Sequence, residues 1–399
     1  GYDDIAVPSV KADAIVWYRY ENGHFAPPKM LAWKYNFIAT RIAAADINGD
    51  GFPDLFAESV INPTGSNYMG WYLNNGDGTF TPQTPVIAGG YDCSDLKIID
   101  VDNDGDLDIL WVNDGFNQNP DGSLNWIENL GNGVLATSKV IASGLTLPRE
   151  VVAMKSYEVN PPIIFLFKEG QDAIQRFEYL ANGQFLPGDL SNNFSQGIWA
   201  EALDVNQDGL DDLVGVDWTP PSYKLALWIN LGNSFFGPQQ TLDISSTSWN
   251  DPTLGDINLD GIPDLVVGAM NTGVQWFQGL GGGNFATPQL IPNSTLGAFS
   301  VQVPDLDKDG DLDLIAVRSG YWANLPTDAL TLSWNLANNE SMSGRVFFDE
   351  NENGTLDAGE SFAGRFPVQV TPSALAVFTD ENGVFNIYAG AGTYTITPD

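Results

Sequence analysis

One acidic phrase recurs along this chain, and its spacing leaves few folds open. It reads Asp46-Ile-Asn48-Gly-Asp50-Gly-Phe-Pro-Asp54, then Asp100-Val-Asp102-Asn-Asp104-Gly-Asp-Leu-Asp108. It returns as Asp204-Val-Asn206-Gln-Asp208-Gly-Leu-Asp-Asp212, Asp256-Ile-Asn258-Leu-Asp260-Gly-Ile-Pro-Asp264 and Asp305-Leu-Asp307-Lys-Asp309-Gly-Asp-Leu-Asp313. The steps between first Asp residues are 54, 104, 52 and 49, and 104 is two periods of 52, so a copy is hidden near residue 154. A fixed period of about 50 residues is the mark of a repeat architecture.

A second phrase fills the gap. An aromatic sits in a strand-like run at Trp17, Trp71, Trp126, Phe177, Trp228, Trp276 and Trp334, in steps of 54, 55, 51, 51, 48 and 58. That makes seven copies. The fourth has lost its acid, because Met154-Lys-Ser-Tyr-Glu-Val-Asn-Pro-Pro stands where the Asp phrase belongs, and the first begins midway at Gly1-Tyr-Asp-Asp4. The sixth copy displays the internal order: a short strand into Asp256, the acidic loop, Asp264-Leu-Val-Val-Gly, Gly273-Val-Gln-Trp-Phe-Gln, a Gly-rich turn, and Phe285-Ala-Thr-Pro-Gln-Leu-Ile291. Four short strands per repeat, without helical periodicity, predict an all-β chain folded as a seven-bladed β-propeller over residues 1–338. A linear β-solenoid would use shorter repeats. By strand count the first blade lacks its first strand and the last its fourth, so upstream residues of the native protein are expected to supply both.

Composition narrows the function classes. The 399 residues carry a formal charge of −35, yet 43% are hydrophobic and 12% aromatic, too apolar for a disordered acidic tail. Such charge argues against binding nucleic acid or an anionic membrane, which need a basic surface. One His (His24) and one Cys (Cys93) exclude a disulfide framework and a Cys/His zinc site, and argue against Ser-His-Asp or Cys-His catalysis, in which His24 would have to serve alone. No run of 18 apolar residues is present, so no membrane span is expected. The chain starts without a charged n-region and an apolar h-region, so an export signal is expected to be removed or to lie outside this sequence.

Oxygen donors at alternating positions with Gly at the sixth are how a short loop wraps a hard cation. The expected ligands are Asp46, Asn48, Asp50 and Asp54; Asp100, Asp102, Asp104 and Asp108; Asp204, Asn206, Asp208 and Asp212; Asp256, Asn258, Asp260 and Asp264; and Asp305, Asp307, Asp309 and Asp313. An all-oxygen set suits calcium and disfavours zinc or copper. Asp/Asn/Gly loops are also good turns in their own right; five copies in one register favour the metal. The expectation is five calcium sites in the propeller, structural in role, with none at the fourth copy.

The phrases Asp-x-Asn/Asp-x-Asp-Gly-x-x-Asp-Leu, Trp-x-x-Asn-x-Gly and Asn-Gly-x-Phe-x-Pro resemble the FG-GAP (VCBS-type) repeats of integrin-α-like propellers. The resemblance implies calcium between the first two strands of a blade, a secreted or cell-surface life, and recognition of proteins or glycans on the opposite face. Some relatives are lectins and some calcium-loop propellers are polysaccharide lyases, so the fold alone leaves function open.

After a linker at 339–342 the pattern changes. Ser343-Gly-Arg-Val-Phe-Phe leads into Asp349, Asn351, Asn353, Asp357 and Glu360, spaced like an EF-hand loop but without flanking amphipathic helices, which predicts a sixth calcium site. Alternating strands with an Asn-Gly turn over 343–399 read as a small β-sandwich, expected to continue beyond 399. These motifs resemble SdrD B-like or Cna-B-like modules of bacterial surface proteins, which act as stalks. Isopeptide-forming relatives need a Lys, and none lies beyond Lys308, so no isopeptide bond is expected.

A partner surface is expected opposite the calcium loops, where Glu58 to Tyr68, Asn113 to Ser123, Asp217 to Tyr223 and Arg318 to Asp328 read as long loops. Trp33, Tyr35, Tyr68, Tyr91, Phe116, Trp218, Trp249, Tyr321 and Trp322 are the candidate ligand-binding residues there, since aromatics with polar neighbours suit sugar stacking or a protein hot spot. The alternative for each is filling between blades, and the repeated blade aromatics read as core. No catalytic residues emerge: Asp217, Asp328, Arg318 and Lys224 share that face without a spacing that joins them, and His24 reads as a turn residue. The expected function is a secreted, calcium-binding, non-enzymatic adhesion or interaction protein of the cell surface, recognising an extracellular protein or glycan, with further domains upstream and downstream. The alternatives are a polysaccharide-processing enzyme such as a lyase, and a purely architectural surface or filament unit.

Overall fold

A computed structural model describes the chain except residues 1–3, 10–13, 22–23, 32–36, 62–65, 85, 89–92, 116–120, 155–160, 169–173, 190–196, 220–221, 233–234, 244–248, 270–271, 292–297, 307–309, 319–328, 334–339, 349–355, 358, 363–366, 372–374, 379–383, 390–394 and 399. The described residues are almost entirely strand and turn, and no helix among them is long and apolar enough to cross a membrane.

The third repeat shows how sequence becomes a blade. Its strands Cys93–Ile99, Asp108–Asn113, Gly122–Ile127 and Lys139–Leu145 form one antiparallel meander in chain order. The two middle strands are buried at every residue, whereas the last alternates between exposed and half-buried. A strand with both faces covered can be apolar throughout, so Asp108-Ile-Leu-Trp-Val-Asn113 reads as a continuous run rather than an alternation. The same meander recurs in the sheets opening with Pro148–Met154, Gly197–Leu203 and Trp249–Gly255, and, with five strands, in the one opening with Phe37–Ala45.

The first strands of consecutive sheets abut, so the sheets stand radially. Apolar clusters fill each gap: Phe56 with Ile109 and Trp111, Trp126 with Ile164 and Phe177, Phe165 with Leu213 and Trp228, Leu227 with Leu265 and Phe277. Ile5, from the first sheet, packs on Leu306 and Ile315 of the last, which brings the ends of the array together.

Six sheets extend to an outer strand, the first of them three-stranded (Ile5–Ser9, Ala14–Tyr18, Lys29–Leu31), and these support a six-blade arrangement rather than the seven expected. The last sheet, Ala298–Gln302, Leu314–Arg318 and Ala329–Ser333, stops at three strands, and Trp334, the aromatic that marked the seventh copy, lies outside the described residues.

Farther on, Glu340–Arg345 pairs with Val384–Ala389, and Pro367–Thr371 lies between Leu375–Phe378 and Thr395–Pro398. Two small antiparallel sheets are thus what the described C-terminal residues form.

Two of the expected long loops are corrected. Tyr68 pairs with Ser59 and Glu58 with Met69 inside strands Asp54–Ile61 and Ser66–Asn74. Likewise Thr219 pairs with Ser222, so Asp217 to Thr219 and Ser222 to Tyr223 are strand. Pro220-Pro221 and the polar flanks read as loop, but the strands run up to them.

Candidate functional site: the acidic loops

Each acidic loop joins the first two strands of its blade. The residue at its second position is apolar and points into the blade: Ile47, Val101, Val205 and Leu306 are all buried. That anchor turns the odd-numbered carboxyl groups the other way. The first Asp then accepts two backbone N–H groups, from positions five and six. Asp46 does so at 3.0 and 2.7 Å, Asp100 at 3.1 and 3.0 Å, Asp204 at 3.1 and 2.9 Å, and Asp256 at 2.9 and 2.8 Å. In the loop from Asp305, the Gly310 N–H donates to Asp305 Oδ2 at 3.2 Å. The tight wrap forces left-handed backbone at position four, with φ of 61° at Asn103, 60° at Gln207 and 58° at Leu259. Leu gains nothing locally from that conformation, so at Leu259 the loop imposes it.

Position three separates the loops. Asn48, Asn206 and Asn258 donate from Nδ2 to Oδ2 of Asp50, Asp208 and Asp260 at 2.8, 3.0 and 2.9 Å, tying the donors to one another. In the third blade Asp102 takes this place. Oxygens of Asp100, Asp102 and Asp108 lie within 4.8 Å of one another, a group that could hold a metal ion. Asp102 Oδ1 is buried and accepts no hydrogen bond. Burial, then Asp104, raise its carboxyl above the ordinary range, with Glu128 and Asp100 adding to the effect. Converging carboxylates with an orphaned buried oxygen fit a hard cation, which would neutralise the repulsion and satisfy the lone pairs. Asp307 and Asp309 lie outside the described residues, as do Asp349, Asn351 and Asn353; Asp357 and Glu360 are joined by a 2.8 Å bond from the Asp357 N–H to Glu360 Oε2.

The position-nine residues are more deeply placed than the spacing alone suggests. Asp54, Asp108, Asp212, Asp264 and Asp313 are all buried. One oxygen takes the N–H of loop position two: Val101 to Asp108 at 3.1 Å, Val205 to Asp212 at 3.2 Å, Ile257 to Asp264 at 3.1 Å, Leu306 to Asp313 at 2.9 Å. The other takes an N–H at the end of the third strand or just beyond it: Asn74 to Asp54 at 2.8 Å, and Asn129, Asn230 and Gly279 to their aspartates at 2.7 Å each. In the first blade, Tyr20 donates likewise to Asp4 at 2.9 Å. Indole N–H groups reach the same carboxylates in two blades, Trp17 to Asp4 and Trp71 to Asp54, both at 3.2 Å. This clamp escaped the sequence reading, although the paired recurrence of Asp and Trp-x-x-Asn was its signal. Burial pushes Asp108 up to about 7 and Asp212 to about 6 despite these donors, and raises Asp54 and Asp264 as well.

The candidate ligand face is described in part. Trp33, Tyr35, Tyr91, Phe116, Tyr321 and Trp322 lie outside the described residues, and Tyr68 and Trp218 are placed as strand backbone only. Trp249 is a correction: it is fully buried, packed between Val216, Val267 and Phe277, because the strand Trp249–Gly255 begins at it. Trp17, Trp126 and Trp228 are buried core, as their recurrence implied. His24 lies in a short strand pairing with Glu21.

The model of the FG-GAP-like repeat matches residues 1–57, 59–111, 204–267 and 256–316, more than half of the chain. No curated protein matches it. Among solved structures, a crystal structure of a protein from Lactobacillus plantarum is similar over 97% of this chain and 100% of its own, at 10% identity and a TM-score of 0.55, a likeness of fold. A crystal structure of BBS1N in complex with ARL6DN aligns over 84% of this chain and 92% of its own, at 10% identity and a TM-score of 0.45.

Proposed function

Because this chain belongs to the FG-GAP-like repeat family, we propose that it is a secreted, calcium-binding, non-enzymatic interaction module of the cell surface, recognising an extracellular protein or glycan through the propeller face opposite the acidic loops. The observation that carries the reading is the third loop, where Asp100, Asp102 and Asp108 converge within 4.8 Å and one carboxylate oxygen is buried without a donor. Calcium would supply positive charge there and accept the carboxylate oxygens as its ligands. The chain's own residues would hold it: Asp100 and Asp102 converge with the buried Asp108, which also ties the loop floor to the third strand. The remaining loops repeat this wrap, and the C-terminal Asp349–Glu360 loop would add a site on a stalk-like module.

The role assigned to the ions is structural. At a free concentration about 100-fold above Kd, each site would add roughly 2.7 kcal/mol to the folded state. The face opposite is left to recognition, since strand-connecting loops carried on rigid blades are where propellers can vary without altering the core. Two measurements test the proposal. Calcium titration of the chelated protein should show saturable binding with a raised melting temperature, and an unchanged melt in EDTA would sink the calcium reading. A glycan and extracellular-protein array probed in millimolar calcium should return ligands; silence on both, with uronide release from a polysaccharide detected by ultraviolet absorbance, would replace it with a lyase.

A further inference from the structure

The clamp on each position-nine aspartate also fixes the residue just before its backbone donor: Leu73 before Asn74, Glu128 before Asn129, Ile229 before Asn230 and Gln278 before Gly279. This residue lies beside the acidic loop. In the sixth blade Gln278 Nε2 reaches to 3.5 Å from Oδ2 of Asp260, at loop position five. In the fifth, a Cβ added at Gly283 of the next blade would lie 2.7 Å from Ile229 Cδ1 and 3.8 Å from Cβ of Asn206, at loop position three.

The third blade puts an acid at this position, and its loop is the one described in full that carries Asp102 in place of Asn. The Glu128 side chain is 24% exposed, and Lys139 Nζ lies 2.5 Å from its Oε2. The same ammonium sits over the Trp126 ring at 4.5 Å, and Tyr179 of the fourth blade meets that ring edge-on at 5.5 Å. Glu128 therefore faces the seam between the third and fourth blades. Asp102 faces it too: burial first, then Asp102 and Glu128, raise the Tyr179 phenol above its ordinary range. Lys139 reaches Glu128, while Asp102 Oδ1 stays buried without a donor.

The next blade covers the other loops at this point. A Cβ added at Gly133 would lie 2.9 Å from the Trp71 ring and 3.1 Å from Asn48 Cβ, so the third blade's turn closes over position three of the second loop, as Gly283 does over the fifth. A Cβ at the matching Gly183 of the fourth blade would meet nothing within 4 Å among the described residues. Asp102 and Glu128 are thus two acids side by side that the following turn leaves uncovered.

We propose that Glu128 is a further carboxylate of the third loop's cation site, supplied from the end of the third strand rather than from the loop, and that it makes this the tightest calcium site of the propeller. The inference rests on the calcium reading above. Ligand charge tunes calcium affinity in such loops. Glu128 joins Asp100, Asp102, Asp104 and Asp108, whereas the loops from Asp46, Asp204 and Asp256 have three aspartates each and the loop from Asp305 has four. Lys139 opposes the ion, since its ammonium draws on the same Glu128 carboxylate; a divalent cation is the stronger claimant.

The test is calorimetric titration of the full chain, stripped of metal, with CaCl2. Asp102→Asn marks which binding step belongs to the third loop, and in the wild type that step should be the tightest. Glu128→Gln should weaken the same step at least about tenfold, with the other steps and the melting temperature in EDTA unchanged. Lys139→Met, which breaks the same ion pair from its other side, should instead tighten the step about twofold. Weakening by Lys139→Met equal to that by Glu128→Gln would mean that Glu128 acts only through its ion pair, and would overturn the proposal. Unaltered binding by Glu128→Gln, where Asp102→Asn weakens it, would overturn the proposal and leave the calcium reading standing; no saturable binding by the wild type would overturn both.

Discussion

Trp71 Nε1 donates to Asp54 Oδ2 at 3.2 Å, joining the two phrases that define the repeat. The carboxylate closes the acidic loop while the indole anchors the third strand, and Asn74 N–H completes the clamp on the other oxygen at 2.8 Å. Asp54→Ala should therefore unfasten loop and strand together. Two charge-assisted bonds in a buried setting, less the desolvation already borne by the carboxylate, suggest a loss of about 2 kcal/mol in urea denaturation. Trp71→Phe, which keeps an aromatic side chain but loses the N–H donor and part of the ring area, should cost about as much.

Much of this was legible in the sequence because a repeat fixes its own register. The period, the four-stranded meander and the acidic loops follow from spacings that recur along the chain. What the spacing could not convey was which way each oxygen points: Asp108 was expected as a metal ligand from its position, but its burial and its two N–H donors are consequences of packing. Long-range pairs were equally hidden, since Lys97 and Glu201 meet 104 residues apart with no local pattern to announce them. Trp249 misled because an aromatic in a blade link looks the same whether it faces solvent or the adjacent strand.

Trp249→Ala should behave as a core lesion. With its ring fully buried against Val216, Val267 and Phe277, removal leaves a cavity and should destabilise by about 3–5 kcal/mol. In a ligand-binding assay run well below the melting temperature, affinity should be unchanged; a selective loss of binding in a normally stable variant would return Trp249 to the recognition face.

Asp102→Asn should have opposite effects on the two forms of the protein. Without metal, Asp102 is raised by burial and by Asp104, so an uncharged side chain relieves a cost and the melting temperature should rise. With calcium, the loop loses a charged ligand, so the melting temperature should fall and titration calorimetry should show one site weakened. Shifts of the same sign in EDTA and in calcium would contradict a metal at this loop.

The metal-free protein should lose stability as pH rises. Folded Asp108 keeps its proton up to about 7 and Asp212 up to about 6, both because burial disfavours the charge, against an ordinary 3.8. Between those values the folded state binds more protons than the unfolded chain, so unfolding free energy falls by up to about 1.4 kcal/mol per pH unit for each group. Urea midpoints in EDTA should decline from pH 4 toward pH 7, and saturating calcium should flatten the profile.

Lys97 ties together the first strands of three consecutive blades. Its ammonium lies 2.7 Å from Glu201 Oε1 and 4.0 Å from Glu150 Oε1, with Asp95 on its own strand. Desolvation alone would lower the Lys97 pKa, but Asp95, Glu201 and Glu150 outweigh it and hold the group charged well above its usual range. Removing the ammonium leaves three acids facing one another, one of which, Glu150, also accepts the Ala200 N–H at 3.1 Å. Lys97→Met should cost about 1–3 kcal/mol, short of the full penalty of a buried pair because both partners retain some solvent. Lys139→Met, at an ion pair with Glu128 on a half-exposed side chain, should cost under about 1 kcal/mol. Like charges left together also raise one another's pKa, so the Lys97→Met variant should regain stability on acidification from pH 7 to 5, where the wild type gains less. Glu201→Gln in the same background should restore part of the loss at pH 7, and a double-mutant cycle without coupling would mean that Lys97 and Glu201 do not act as a pair.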